Sequence, residues 1–70
     1  MNEHLALSPR QREVLSLLCE GRSARAISVQ LGLSEATVRN HIREVLVRTG
    51  SHSQLEAVAK ARREHLVELG

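Results

Sequence analysis

Apolar residues recur along this chain at three- and four-residue intervals, in four stretches separated by short polar or glycine-bearing breaks, and no stretch alternates as a strand does. Ser8-Pro9-Arg10-Gln11 opens the first stretch as a capped helix start: serine at the cap, proline at the first helical position, glutamine three residues on. Val14, Leu15, Leu17 and Leu18 form its apolar stripe, and Gly21 ends it. A second helix begins after Ser23 and runs through Ile27 and Leu31 to Gly32, a residue free to take a left-handed exit. Ser34 caps a third, with Glu35 at the positive end of its dipole and Gly50 at its close. Ser53-Gln54-Leu55-Glu56 reads as a capping box that opens a fourth helix, continuing through good helix formers to about Leu69. The expectation is an all-α, four-helix domain over residues 8–70, preceded by a flexible N-terminal arm, residues 1–7.

On a wheel of about 100° per residue, the third helix divides cleanly. Val38, Ile42, Val45, Leu46 and Thr49 share one stripe, while Ala36, Asn40 and Arg43 lie opposite with Arg39 beside Arg43. Thr37, His41 and Arg48 occupy the shoulder between. A packed back and an amide-and-arginine front suit a duplex groove: arginine forks to guanine, asparagine to adenine, and a small residue such as Ala36 permits close approach. The ordinary alternative is a solvated helix face. The preceding segment favours the groove, because Ile27, Leu31, Gly32, Leu33 and Val38 have the spacing of a helix-turn-helix, in which two short helices meet steeply through a glycine turn.

Charge adds to this reading through its placement. The 70 residues carry a formal net charge of only +2, yet Arg22 to Gly50 holds five arginines against two glutamates, net +3, leaving the remainder at −1. Nine of the ten basic residues are arginine, the side chain suited to forked contacts with phosphates and base edges.

The stretches "LSPRQREVLSLLCEGRSARAISVQLGLSEATVRNHIREVL" and "GSHSQLEAV" together resemble the LuxR-type (GerE or NarL-like) helix-turn-helix DNA-binding domain, over Leu7 to about Ala61. Its most specific parts are "RQREVL" (Arg10 to Leu15), Gly21 and "TVRNH" (Thr37 to His41). The resemblance implies a transcriptional regulator, or its response-regulator output domain, with the third helix as reader in the major groove. It implies base contacts by Arg39, Asn40 and Arg43, and phosphate contacts by Arg25, Ser34, Thr37, His41 and Arg48. It also makes the fourth helix a dimerisation helix. Ala57 and Ala61, small enough for close helix contact, would pair there beside Leu66 and Leu69, although the two alanines serve equally well for packing inside one chain. Ser28, Thr49, Ser51 and Gln54 depart from the family pattern, which has an alanine at the first, apolar residues at the next two and a common arginine at the last.

The remaining residues exclude other classes. Phe, Tyr and Trp are all absent, so single-stranded nucleic acid has no stacking platform. Cys19 sits on an apolar helix as a small hydrophobe, and His4, His41, His52 and His65 lack metal-ligand spacing with one another or with it. No enzyme activity, cofactor or metal is expected. One cysteine, no signal peptide and no membrane-length apolar run point to a soluble cytoplasmic protein without a membrane partner. With no aspartate, these residues hold no phosphoacceptor of a receiver domain. The partners expected are double-stranded DNA and a second copy paired on it, with RNA polymerase a candidate. The competing readings are promoter binding like that of sigma-factor region 4, and a helical protein-interaction module that turns its arginines to an acidic partner.

Overall fold

The computed structural model describes residues 7–67 and places four helices there: α1 (Pro9–Cys19), α2 (Ala24–Leu31), α3 (Glu35–Thr49) and α4 (Gln54–Glu64). Each starts at a serine whose hydroxyl accepts a backbone N–H three residues on, so an otherwise orphaned donor is satisfied at every N-terminus. Ser8 adds the reciprocal half: its own N–H donates to Gln11 Oε1 at 3.0 Å, completing the capping box. At α4 the box is displaced by one residue. Glu56 Oε1 accepts from the His52 N–H at 2.6 Å, the residue before the cap, in place of the expected Ser53 N–H.

The turn that sets α3 against α2 depends on Gly32, at φ +69 and ψ +33, where the Leu33 N–H reaches back to the Ser28 carbonyl at 3.0 Å. That left-handed geometry costs a residue with a Cβ about 1 kcal/mol or more. Gly50 repeats the device at the end of α3, with the Ser51 N–H on the Leu46 carbonyl at 2.8 Å.

α1 packs against the other three helices and supplies both halves of the core. Val14, Leu17 and Leu18 join Ile27, Val38 and Ile42, with Leu31 and Leu33 alongside, and this cluster fixes the crossing of α2 and α3. Leu15 and Cys19 join Val45, Ala57, Ala61, Leu7 and Val67. Val14, Leu15, Ile27, Val38 and Val45 are fully buried, each contributing roughly 1.5–3 kcal/mol, and an aliphatic core suffices without aromatic rings.

Three sequence expectations are corrected here. α4 ends at Glu64, short of the expected Leu69: His65 takes a left-handed conformation (φ +55), the Leu66 N–H bonds back to the Ala61 carbonyl at 3.0 Å, and Val67 turns in to be buried. Leu7, assigned to a flexible arm, is buried in the same cluster as Val67. Ala57 and Ala61 have no exposed surface at all, enclosed in the cluster that α4 forms with Leu15 and Cys19 of α1 and Val45 of α3. They are core residues and have no surface to offer a second copy. Leu66 is half-buried against that cluster, and Leu69 lies outside the described residues.

The polar departures from the family pattern are accommodated internally. Thr49 is fully buried, but its hydroxyl donates to the Val45 carbonyl at 2.8 Å and lies 2.8 Å from Ser51 Oγ, so α3 still packs on α4. Lys60 Nζ donates to the Thr49 carbonyl at 2.7 Å and ties the C-terminus of α3 to α4. Ser28 Oγ donates to the Arg25 carbonyl at 2.6 Å within α2.

Candidate nucleic-acid interface

The back of α3 is held by Val38, Ile42, Val45 and Thr49, all buried, which leaves its opposite side projecting from the domain. Ala36, Arg39, Asn40 and Arg43 are exposed there, and Thr37 and His41 are half-buried on the shoulder. The division read from the helical wheel is thus the one observed.

The front is ordered by contacts along the helix. Arg39 Nη2 meets Glu35 Oε2 at 2.6 Å, and Arg43 Nη1 donates to Asn40 Oδ1 at 2.9 Å. Arg39 and Arg43 line a shallow groove together with Ala24, Ile42, Leu46 and Gln54. Gln54 comes from α4 and Ala24 from α2, so three helices border this groove. At the N-terminus of α3, Ser34 Oγ accepts the Thr37 N–H at 3.1 Å and donates to Thr37 Oγ1 at 2.9 Å, presenting two hydroxyls beside the positive end of the helix.

Other residues expected at the interface lie farther off. Arg25 is exposed on α2, where it borders a separate open concavity with Arg22, Ser23, Ala26, Val29 and Gln30. Arg48 is exposed in the last turn of α3, about 20 Å along the helix from Glu35 at ~1.5 Å per residue. His41 Nδ1 is buried without a hydrogen-bond partner and lies 3.6 Å from Glu44 Oε1.

Behind His41, Gln11 links α1 to α3. Its side-chain amide is the pivot: Oε1 accepts from the Ser8 N–H, while Nε2 donates to Glu44 Oε1 at 3.0 Å. Gln11 is buried, so the amide fixes the azimuth of α3 against α1 as well as capping α1. Sequence reading identified its capping role alone; the long-range partner is not legible from local spacing. The Glu35–Arg39 pair was also missed, Glu35 having been read only for the helix dipole, although the signal is present in an acid and a base four residues apart on one helix in the favourable order.

Cys19 does not extend the site. Burial pushes its thiol above the ordinary value, against a smaller opposite pull from the Arg62 charge, and the neutral form is the poorer nucleophile. Among the described residues no group of three or more histidine, cysteine or acidic side chains stands ready for a metal ion, and no helix is long and apolar enough to cross a membrane.

Comparison with known proteins agrees with this geometry. GfsR of Streptomyces halstedii, a probable HTH-type transcriptional regulator, is 39% identical over 56 residues, 80% of this chain but 23% of its own length. The spore germination protein GerE of Bacillus subtilis is 36% identical over 63 residues, 90% of this chain and 85% of that protein. The solved structure of the transcription factor GerE superposes with a TM-score of 0.81 at 36% identity, covering 91% of this chain and 96% of that one. The chain therefore spans about a quarter of the length of one relative and most of another. The model of the family described as GerE, bacterial regulatory proteins, luxR family, matches residues 5–61, and the chain belongs to that family.

Proposed function

We propose that this chain binds duplex DNA sequence-specifically, as a cytoplasmic transcriptional regulator or the output domain of one, with α3 in the major groove. The observation that carries this reading is the exposed front of α3. Arg39, Asn40 and Arg43 stand clear of the core beside Ala36, on a helix locked from behind by four buried side chains. Those three residues contact base edges, and Arg25, Ser34, Thr37, His41 and Arg48 contact phosphates, which give most of the affinity. With roughly three to five phosphates neutralised per copy, log affinity should fall against log salt with a slope of about −3 to −5. A flat salt dependence, or tighter binding to an acidic protein surface than to duplex, would overturn the reading in favour of a protein-interaction module.

Two copies pair on adjacent half-sites. With Ala57 and Ala61 enclosed, the surface α4 offers a second copy is its outer face, where Leu55 is 80% exposed and Ala59 is exposed one turn on. So small an apolar patch does not hold a dimer in dilute solution, whereas neighbouring half-sites raise the local concentration of the second copy. Sedimentation at micromolar concentration should show a monomer without DNA; a tight dimer there would contradict pairing driven by the DNA. RNA polymerase remains the candidate partner for a regulator so placed.

A further inference from the structure

The acidic residues of α3 are Glu35 and Glu44, and they face different ways. Glu44 is turned back to Gln11 and the His41 ring. Glu35 is instead in the first turn of α3, half-buried at the edge between the packed back and the exposed front, and its carboxylate is engaged with Arg39, a proposed base-reading arginine. An anion at that position is a liability for a protein that must approach phosphates, so its presence calls for a role beyond favouring the helix dipole.

We infer that Glu35 is a specificity-determining residue, which holds the Arg39 guanidinium toward a base edge and penalises binding to sequences that offer Arg39 no guanine. The inference rests on the DNA-reading role of α3. A guanidinium carries five N–H donors. The Glu35 contact is made through Nη2, which leaves a forked pair free for guanine O6 and N7. Arg39 is otherwise 62% exposed at its side chain, and an untethered arginine so placed swings to the nearest phosphate, which adds affinity without sequence choice. Tethered by Glu35, it forgoes that contact, and the carboxylate itself repels the backbone of every duplex. On the preferred site the guanine contact offsets the repulsion. On any other site nothing does. Arg43 is tethered differently, by the neutral Asn40 amide, and carries no such penalty.

The test compares affinity for a selected site and a scrambled duplex, using Glu35→Gln and Glu35→Asp in the full chain. Glu35→Gln removes the charge. Glu35→Asp keeps the charge and shortens the reach by one methylene. Glu35→Gln should tighten binding to the scrambled duplex more than to the selected one, shrinking their ratio by about fivefold or more, the lower end of what one forked base contact discriminates. Glu35→Asp should shrink the ratio too, although net charge is unchanged. In an Arg39→Ala background neither change should alter the ratio. Equal shifts on both duplexes, or the same ratio change with and without Arg39, would overturn the inference and leave Glu35 a diffuse surface charge. A wild-type chain that does not distinguish the duplexes overturns the reading beneath it as well; a discriminating wild type whose ratio survives Glu35→Gln overturns the inference alone.

Discussion

Gln11 offers a direct test of how α3 is held. Its buried amide makes two hydrogen bonds of different kinds, one from the Ser8 backbone N–H at 3.0 Å and one to the Glu44 carboxylate at 3.0 Å. A neutral bond of this sort contributes about 0.5–1.5 kcal/mol and one to a charged group about 1.5–3. Glu44 is 56% exposed at its side chain, so its bond belongs at the low end of that range. Gln11→Ala should therefore cost about 2–3 kcal/mol, or roughly 8–24 °C in Tm at the ~4–8 °C per kcal/mol expected for a chain of this size. For a domain with stability on the order of 3–5 kcal/mol, that leaves little. Gln11→Glu separates the two arms. It keeps an oxygen for the Ser8 N–H, but sets a second carboxylate against Glu44 in place of a donor. Two such carboxylates hold their shared proton more tightly when folded than unfolded. A pKa raised by folding gives stability that is present at low pH and lost as pH rises through the folded value. The deficit of Gln11→Glu relative to wild type should thus be large near about pH 7 and shrink near about pH 4. Thermal melts of both variants across that range check this. A Gln11→Glu protein as stable as wild type near neutrality, or a deficit independent of pH, would refute the bridge.

Further outcomes follow from substitutions at four residues. Gly32→Ala adds a Cβ that meets nothing within 4 Å, so its cost of about 1 kcal/mol is conformational and should appear in the urea midpoint, with Gly32→Val costing more. Glu56 is held below its ordinary carboxyl value chiefly by the His52 backbone N–H; stability from that contact is present above the ordinary value and lost as pH falls through the lowered one, so Glu56→Gln should flatten the acid limb of a stability–pH curve. Ala57→Leu should destabilise the monomer by about 1–3 kcal/mol through overpacking, while Leu55→Asp leaves the melt unchanged and weakens cooperative binding to paired half-sites.

Much of this was legible in local chemistry. Serines, glycines and one proline mark the helix boundaries because each meets a local requirement, a donor to satisfy or a left-handed exit to supply. The front of α3 was legible because five core positions leave one side over. What local pattern does not carry is the distance between helices. Ala57 and Ala61 fit a core or an interface equally well, and the packing of α4 onto Leu15 and Cys19 of α1 decides for the core. Arg62, Arg63 and Glu64 would continue a helix by propensity. The chain turns at His65, without a glycine, as Val67 folds onto the cluster that holds Leu7. The Gln11–Glu44 contact spans 33 residues and depends on the same tertiary placement.

The claim that α3 reads bases is tested most directly by comparing Arg43→Ala with Arg48→Ala on a selected and a scrambled duplex at several salt concentrations. Arg43 stands on the exposed front beside Asn40, whereas Arg48 is in the last turn of α3. Arg43→Ala should cost about 1–3 kcal/mol on the selected site and relax choice at one base pair, with little loss on the scrambled duplex. Arg48→Ala should weaken both duplexes by similar factors and flatten the salt slope by about one unit. Equal losses on the two duplexes for Arg43→Ala would contradict its place as a reader.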